Sequence, residues 1–232
     1  MSVPARWRAL LIVYRRIAVR EPVPFAHSLS HGEVADGVDA FQRFPALAAR
    51  LSGGEAVVDV ARADAARALD SLTPMGDGIA WPSPSDTRAE LDELAPPGAY
   101  DSVFVLWPQR DLASGAAVPT GGWGLAIPAT DWSNGATYAT VANAEPWTWT
   151  APTQGEVWLH EWLHGVCAHY ARRGFDMPPG DADGGERSGY RHSPATGWCA
   201  YYGDLMTGRV SIGGRRLGIP PGAWRSGPVR SA

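Results

Sequence analysis

Two histidines and a glutamate stand at a spacing suited to metal chemistry. Residues 160–164 read His-Glu-Trp-Leu-His, which puts His160 and His164 four positions apart. On an α-helix four residues cover about 400° of rotation, so both imidazoles share one face and can bind one Zn²⁺. Glu161 is rotated by about 100° from His160. From there it can act as a general base on water activated by the metal rather than bind the metal itself.

The helix that must present this motif has its own start and stop signals. Thr153 to Glu156 read Thr-Gln-Gly-Glu, the pattern of a capping box, and Arg172, Arg173 and Gly174 are typical of a helix end. The residues between are largely apolar, which favours a buried helix over a surface helix with two solvated histidines. Buried imidazoles need partners, and a metal ion supplies one. The sequence therefore predicts a helix from Thr153 to about Arg173.

The motif and the order of elements around it resemble the zincin metallopeptidases. In that superfamily a sheet lies over the motif helix, and its edge strand runs antiparallel to a bound peptide. The resemblance implies that His160 and His164 hold zinc and that Glu161 is the general base. It also implies that the edge strand is 123–127 or 137–142.

A second resemblance covers about the last third of the chain, which is similar to a loosely characterised group of bacterial proteins with the same motif. The matching residues are Gly189-Tyr190, Trp198, Tyr201, Asp204-Leu205-Met206 and Gly208-Arg209-Val210. The chain departs from the metzincin pattern, since Cys167 and Tyr170 stand where that pattern has a glycine and a third histidine. His169 lies about 180° from His160 on the helix, so we exclude it as a ligand.

A third protein ligand is expected, because catalytic zinc usually has three plus a water. The favoured candidates are His192, Asp183 and Glu186, in that order. Imidazole is the commonest zinc ligand, and both carboxylates lie in a glycine-rich run after the motif helix. The other candidates of this region are Asp181, Cys199 and Asp204. Each candidate could equally be a solvated loop residue.

Aromatic residues provide further candidates. Tyr201 and Tyr190 are the predicted catalytic phenols, which would stabilise an oxyanion, and Tyr202 is a third candidate; packing in the core is the alternative role for each. Four tryptophans flank the predicted edge strands and could line a substrate cleft or pack in the core: Trp123, Trp132, Trp147 and Trp149.

The remaining pattern predicts an α+β fold over a single domain, residues 1–232, and the resemblance implies that this fold is of the zincin type. A mixed, twisted sheet would pack on the motif helix, followed by a loop and a C-terminal helix. The expected strands are 8–19, 55–61, 100–107, 123–127 and 137–142. The expected helices are 33–51, broken in two at Pro45, 62–71, 85–94 and 197–207, and the expected irregular segments are 74–84, 174–196 and the tail from about 213.

Composition narrows the function classes. The chain has 232 residues, 45% of them hydrophobic and 19% charged, with a net charge of −4, so no nucleic-acid partner is expected. The apolar run near the N-terminus is too short to span a membrane or to serve as a secretory signal, so we expect no membrane partner and a cytoplasmic protein, or a secreted one if a leader was removed. Cys167 and Cys199 are expected to be buried free thiols, with one bridge between them as the alternative.

These observations lead to three functional hypotheses. The first is a zinc-dependent hydrolase, a metallopeptidase that cleaves a peptide or amide bond with Glu161 as general base. The second is a metal enzyme of the same fold that acts on a small metabolite, since fold does not fix function. The third is a non-catalytic, metal-stabilised binding protein. The expected partners are a peptide or small-molecule substrate, and the same ligands could also hold iron, cobalt or manganese.

Overall fold

The computed structural model describes residues 6–21, 23–150 and 153–228, without the side chain of Thr150. In chain order, its strands are β1 (Arg6–Val13), β2 (Arg16–Val19), β3 (Phe25–Ser28), β4 (Val57–Asp64), β5 (Thr73–Gly76), β6 (Ile79–Trp81), β7 (Ser102–Trp107), β8 (Gly124–Ile127), β9 (Thr137–Ala142), β10 (Val210–Ile212) and β11 (Arg215–Leu217). The α-helices are α1 (His31–Leu51), α2 (Arg88–Leu94), α3 (Pro146–Thr150), α4 (Glu156–Arg172), α5 (Cys199–Leu205) and α6 (Pro221–Trp224).

A five-stranded mixed sheet lies at the centre, in the order β4-β1-β7-β9-β8. The first four strands are parallel, and β8 runs antiparallel to β9. Every residue of β7 and of β9 is buried, as expected for inner strands covered on both faces. The prediction of a mixed sheet combined with helices is confirmed. Of the two segments considered for the edge, β8 is the edge strand and β9 lies inside the sheet.

The alternation of side chains along β1 divides the apolar interior into two cores. Leu11 and Val13 point to the face covered by α1, α4, α5 and α6. Leu10 and Ile12 point to the opposite face, which is covered by α2 and by the shorter strands around it. This alternation is the period of two that a strand imposes. The motif helix α4 therefore packs directly on the sheet, over β8 and β9.

Two glycines allow α4 to lie close to its neighbours. A Cβ at Gly165 would come within 2.7 Å of the Thr137 side chain on β9, and one at Gly155 would come within 2.7 Å of the Phe44 backbone on α1. Gly155 is the N-cap of α4 and has φ of 86°. The predicted capping box at Thr153 is therefore wrong: the helix starts after a glycine in the left-handed region, and the Glu156 carboxylate accepts a hydrogen bond from Trp198 N instead, at 2.6 Å.

Three predictions for the first half of the chain are wrong. The expected strand 8–19 is two strands, because the chain bends after Val13 and β2 pairs with β3 rather than with the sheet. Pro45 does not break α1, since Phe41, Phe44 and Leu47 on both sides of it are buried in one core. That burial outweighs the lost backbone hydrogen bond. Residues 62–71 are not a helix, because β4 continues alongside β1 to Asp64.

Two segments predicted to be irregular contain hairpins. Within 74–84, β5 and β6 are joined by Asp77-Gly78, both with positive φ, which is a turn typical of two-residue hairpins. The tail from about 213 contains β11, which pairs with β10 across Gly213-Gly214, and then α6. Trp224 of α6 is fully buried and donates a hydrogen bond to Met206 O at 2.8 Å. The tail thus completes the core.

Two smaller differences concern the helices. Thr87, not Ser85, is the N-cap of α2, and the short helix α3 was not expected. Cys167 and Cys199 are both buried and free, as predicted. None of the helices that the structure describes combines the length and apolar character required to cross a membrane.

Candidate metal centre

One face of α4 presents the two histidines of the motif to a turn from the following loop. His160 Nε2 and His164 Nε2 lie 3.3 Å apart. Asp183, at the end of the 3₁₀ turn Asp181–Asp183, places Oδ1 at 3.4 Å from His160 Nε2 and Oδ2 at 3.7 Å from His164 Nε2. Within the described ranges these three residues form the one group of histidine, cysteine or acidic side chains close enough to share a metal ion.

The spacing of the three donor atoms suits a zinc ion. Ligand atoms at about 2.0–2.1 Å from a tetrahedral zinc are separated from one another by about 3.3–3.4 Å. The Nε2–Nε2 distance of 3.3 Å and the distance of 3.4 Å from His160 Nε2 to Asp183 Oδ1 match that separation, whereas His164 Nε2 lies 3.7 Å from the other carboxylate oxygen, Asp183 Oδ2. Two imidazole nitrogens and one carboxylate are also a common donor set for catalytic zinc. The residues present therefore fit the ion.

The second nitrogen of each imidazole is already engaged, which aims both Nε2 atoms at the shared point. His160 Nδ1 and the Tyr202 hydroxyl are 2.8 Å apart. His164 Nδ1 bonds the Asp181 carboxylate. An ionised carboxylate can only accept, so His164 carries its proton on Nδ1 and Nε2 keeps its lone pair. Partners of this kind orient metal-binding histidines and fix their tautomer.

The charges around the histidines differ, and so do their pKa shifts. Burial lowers the pKa of His160 to about 4, and the neighbouring His164 adds to this effect. Burial acts in the same direction on His164, but the hydrogen bond and charge of Asp181 outweigh it and raise the pKa of His164. Burial likewise acts to raise the pKa of Asp181, and the bond with His164 outweighs it and lowers that pKa. His164 and Asp181 thus behave as one buried pair.

Glu161 lies beside the donor group and is almost closed off from solvent. Its Oε1 is 3.8 Å from His160 Nε2, and only 5% of the residue is exposed. Burial raises the pKa of Glu161 to about 7, and the nearby charge of Asp183 contributes. The start of the edge strand covers the carboxyl group, and a Cβ at Gly124 would overlap it. A glycine at this position of β8 therefore leaves room for the carboxyl group.

The donor group and Glu161 open into a cleft of about 810 Å³. It is lined by the segment from Gly121 through β8, by α3 and α4, and by the loop before α5. Its aromatic lining residues are Trp123, Trp147, Trp198 and Tyr202. The Arg110 guanidinium lies 5.4 Å from the ring centre of Trp123. Of the other predicted cleft tryptophans, Trp132 is 65% exposed and outside the lining, and Trp149 is buried against Trp158.

The structure separates the three candidates for the third ligand. Asp183 is brought to the two histidines, whereas His192, the favoured candidate, lines the cleft with its ring 5.6 Å from that of Trp198. Glu186 is exposed in the next 3₁₀ turn and is not part of the group. The physical reason is the turn itself: Gly180 and Asp181 both have positive φ, which folds the chain back over α4.

The predicted phenols are engaged elsewhere and do not line the cleft. The Tyr190 hydroxyl donates to Asp204 Oδ2 at 2.7 Å, and the Tyr201 hydroxyl donates to the carbonyl oxygen of Asp181. Tyr201 thereby supports the turn that carries Asp183. Tyr202, the third tyrosine considered, does reach the cleft, but its hydroxyl is paired with His160. The structure thus gives none of these three hydroxyls a free position over the donor group.

Sequence reasoning missed two residues of the site. Gly124 is a missed contact of Glu161, and no sequence signal marks it apart from its place in a predicted edge strand. Glu156 was assigned only to the capping box, yet it lines the cleft. Its position four residues before His160 puts both on the same face of α4, and that spacing was available as a signal.

No protein-family model matches the sequence, and a search of curated proteins finds no significant match.

Proposed function

We propose that the protein is a zinc-dependent hydrolase that cleaves a peptide or amide bond. The observation that carries the proposal is the arrangement of His160, His164 and Asp183, whose metal-binding atoms all lie within 4.8 Å of one another, with the Glu161 carboxyl group beside them in the lining of a cleft. This arrangement combines metal ligands with a general base, the two components that metal-assisted hydrolysis requires.

Each residue has a defined part in the proposed reaction. His160, His164 and Asp183 would hold the ion, which when bound acidifies water and polarises a carbonyl oxygen. Glu161 takes a proton from the attacking water and then delivers it to the leaving amine.

The edge of the sheet supports a peptide as the substrate. Among the described strands β8 pairs with β9 alone, so its other edge faces away from the sheet, and all four of its residues are partly exposed. Gly124, Leu125 and Ala126 of β8 line the cleft. An extended peptide in the cleft could add to this edge through backbone hydrogen bonds. A small metabolite would not need such an edge, so the peptide hypothesis is the better supported of the two.

The number of donors favours catalysis over a purely structural site. The described part of the chain supplies three donor residues to the group, whereas a structural zinc is almost always closed by four. The fourth position would face the cleft and Glu161, where water and substrate can enter.

The test measures metal content and hydrolysis together. We expect about one zinc per chain, cleavage of a mixed peptide library, loss of cleavage on chelation, and loss of cleavage with retained zinc in Glu161→Gln. Zinc without any cleavage would support small-molecule chemistry or a non-catalytic site. A protein that binds no metal would contradict the proposal.

A further inference from the structure

The walls of the cleft carry an unbalanced set of charges. Its lining includes four carboxylates, those of Glu156, Glu161, Asp181 and Asp183, and among the described residues that form it there is no arginine. The chain has no lysine at all. Arg110 lies over the ring of Trp123, which lines the cleft, but is not itself part of the lining. Even with a divalent cation bound, the carboxylates outnumber its charges.

Three of the four carboxylates already have a partner or a role. Asp183 belongs to the donor group, Asp181 is bonded to His164, and Glu161 is the proposed base. Glu156 is the remaining one. The proposed reaction does not use it, and within the described residues no arginine forms a salt bridge with it, although the nearby His192 acts to lower its pKa.

The Glu156 carboxylate is only half satisfied. Oε1 accepts the hydrogen bond from Trp198 N, whereas Oε2 is buried and has no hydrogen-bond partner. The carboxylate is held in place because it packs against Gly197, where a Cβ would overlap it. Burial raises the pKa of Glu156, which reflects the cost of keeping an unpaired charge there. A cationic partner would remove that cost.

The position of Glu156 relates it to the proposed reaction centre. It lies one helical turn before His160 on α4, and side chains at that spacing have Cβ atoms about 5–6 Å apart. Successive residues of an extended peptide advance by about 3.3 Å each. A substrate group held at Glu156 would thus belong to a residue within one or two positions of the bond being cleaved. Trp147 and Trp198 add aromatic faces that suit the apolar stem and the charge of a basic group.

We infer that the cleft selects substrates that carry positive charge, and that Glu156 binds their ammonium or guanidinium group. The inference rests on the proposed function for the position of the cleaved bond, but the charge preference itself is a property of binding. The cation could be the peptide's own N-terminus or the side chain of a lysine or arginine. An anionic group next to the cleaved bond would be rejected.

Binding of defined peptides tests this without relying on turnover. The protein would be the Glu161→Gln variant with zinc added, and its affinity for hexapeptides that differ at one position (lysine, arginine, norleucine or glutamate) would be measured by calorimetry. Each peptide would be used with a free and an acetylated N-terminus, so that the two sources of the cation are distinguished. We expect the cationic peptides to bind about tenfold or more tightly than their glutamate counterparts.

A second substitution assigns the preference to one residue. Adding Glu156→Gln keeps the acceptor for Trp198 N and removes the charge, and we expect it to abolish most of the difference in affinity between cationic and glutamate peptides. Glu186→Gln removes a charge from an exposed residue outside the cleft and is the matched control. Thermal unfolding checks that each variant is folded, and raising the salt concentration with Glu156 intact should weaken the preference independently.

The outcomes separate this inference from the proposed function. Equal affinity for cationic, neutral and anionic peptides would overturn it, as would a preference that persists in the Glu156→Gln protein. Hydrolysis without any charge preference would leave the proposed function standing and refute only this inference. A charge preference in a protein that cleaves no peptide would support this inference and refute the proposed function.

Discussion

At the scale of single residues, the proposed chemistry depends on which third side chain lies beside His160 and His164. Imidazole was favoured from the sequence because it is the commonest ligand, but ligand frequency says nothing about where a loop goes. The turn at Gly180 and Asp181 places Asp183 over α4 and leaves His192 against Trp198. The positive φ angles of Gly180 and Asp181 therefore determine which of two chemically suitable donors, Asp183 or His192, lies close to the two histidines.

The first prediction concerns Asp183. Asp183→Asn keeps the size of the side chain and removes the negative charge, so we expect zinc affinity to fall by about 100-fold or more, because an anionic ligand is lost. His192→Asn is the matched control and should change affinity by less than about threefold. Competition with a fluorescent chelator measures both. If His192→Asn had the larger effect, the assignment of the third ligand would be wrong.

The second prediction uses the contact between Gly124 and Glu161. Gly124→Ala adds a methyl group that overlaps the Glu161 carboxyl group, so the base must move. We expect hydrolysis to fall by at least about tenfold, since misplacement of a catalytic group by 1 Å has effects of that order. Zinc affinity should remain unchanged. Gly122→Ala, where an added Cβ meets only the Gly124 carbonyl oxygen at 3.9 Å, is the control. Equal activity of the two variants would argue against a role for Glu161.

At the scale of elements, α1 and α4 show two ways of starting a helix. Ser30 and Glu33 form a reciprocal capping box on α1, in which each side chain accepts a hydrogen bond from the other residue's backbone. The sequence from Thr153 to Glu156 has the same spacing, but the N-cap of α4 is Gly155, and no side chain caps this helix. No capping box forms there because the Glu156 carboxylate accepts a hydrogen bond from Trp198 N, which is distant in sequence.

The third prediction is a pH dependence at the start of α1. Burial acts to raise the pKa of Glu33, but its hydrogen bonds with Ser30 and Asn143 outweigh burial, so the pKa lies below its ordinary value of 4.5. A carboxylate with a lowered folded-state pKa stabilises the protein above the unfolded pKa and loses that contribution as the pH falls. We expect Glu33→Gln to lower the free energy of unfolding by about 1 kcal/mol at pH 7, with a smaller difference below pH 4.5.

Urea unfolding at several pH values measures this difference. Glu93→Gln removes a charge from an exposed residue that pairs with Arg67 and serves as the control, with an expected effect of less than about 0.5 kcal/mol. A stability difference that did not depend on pH would show that Glu33 contributes through packing rather than through its charge.

At the scale of the whole molecule, the C-terminal segment is part of the architecture. Trp224 stacks on Trp162 of the motif helix at 5.9 Å between ring centres and lies at 6.4 Å from Trp7 of β1. The last helix therefore braces the rear of α4, on the side away from the cleft. The segment looks irregular in sequence because of its glycines and prolines, but one buried indole fixes its place.

The fourth prediction follows from this bracing. Trp224→Ala should lower the free energy of unfolding by about 3–5 kcal/mol, because it leaves a large cavity and removes the hydrogen bond to Met206 O. Trp132→Ala, at a residue that is 65% exposed, should change it by less than about 0.5 kcal/mol. Denaturant titration of the two variants measures the contrast. A small effect of Trp224→Ala would mean that the C-terminal segment is not part of the cooperative unit.

Features that depend on residues close together in sequence were largely predictable, and most of those that depend on residues distant in sequence were not. The motif helix and the inner strand β7 were predictable, since β7 carries a continuous apolar run and α4 has a clear motif and end signals. What failed depended on distant partners: the continuation of β4 beside β1, the unbroken α1, and the position of Asp183. The hairpin at Asp77-Gly78 is an exception, because its turn signal is local and was overlooked.

The position of Asp183 on a turn has a consequence for the folding equilibrium. An ion held by His160, His164 and Asp183 would act as a cross-link that closes the chain between the end of the motif and the turn, much as a disulfide closes a loop. Because such a link lowers the entropy of the open chain, its loss should free the segment after α4 before it frees the sheet. Metal removal should therefore increase amide hydrogen exchange and protease cleavage first in residues 174–198, while the strands keep their protection.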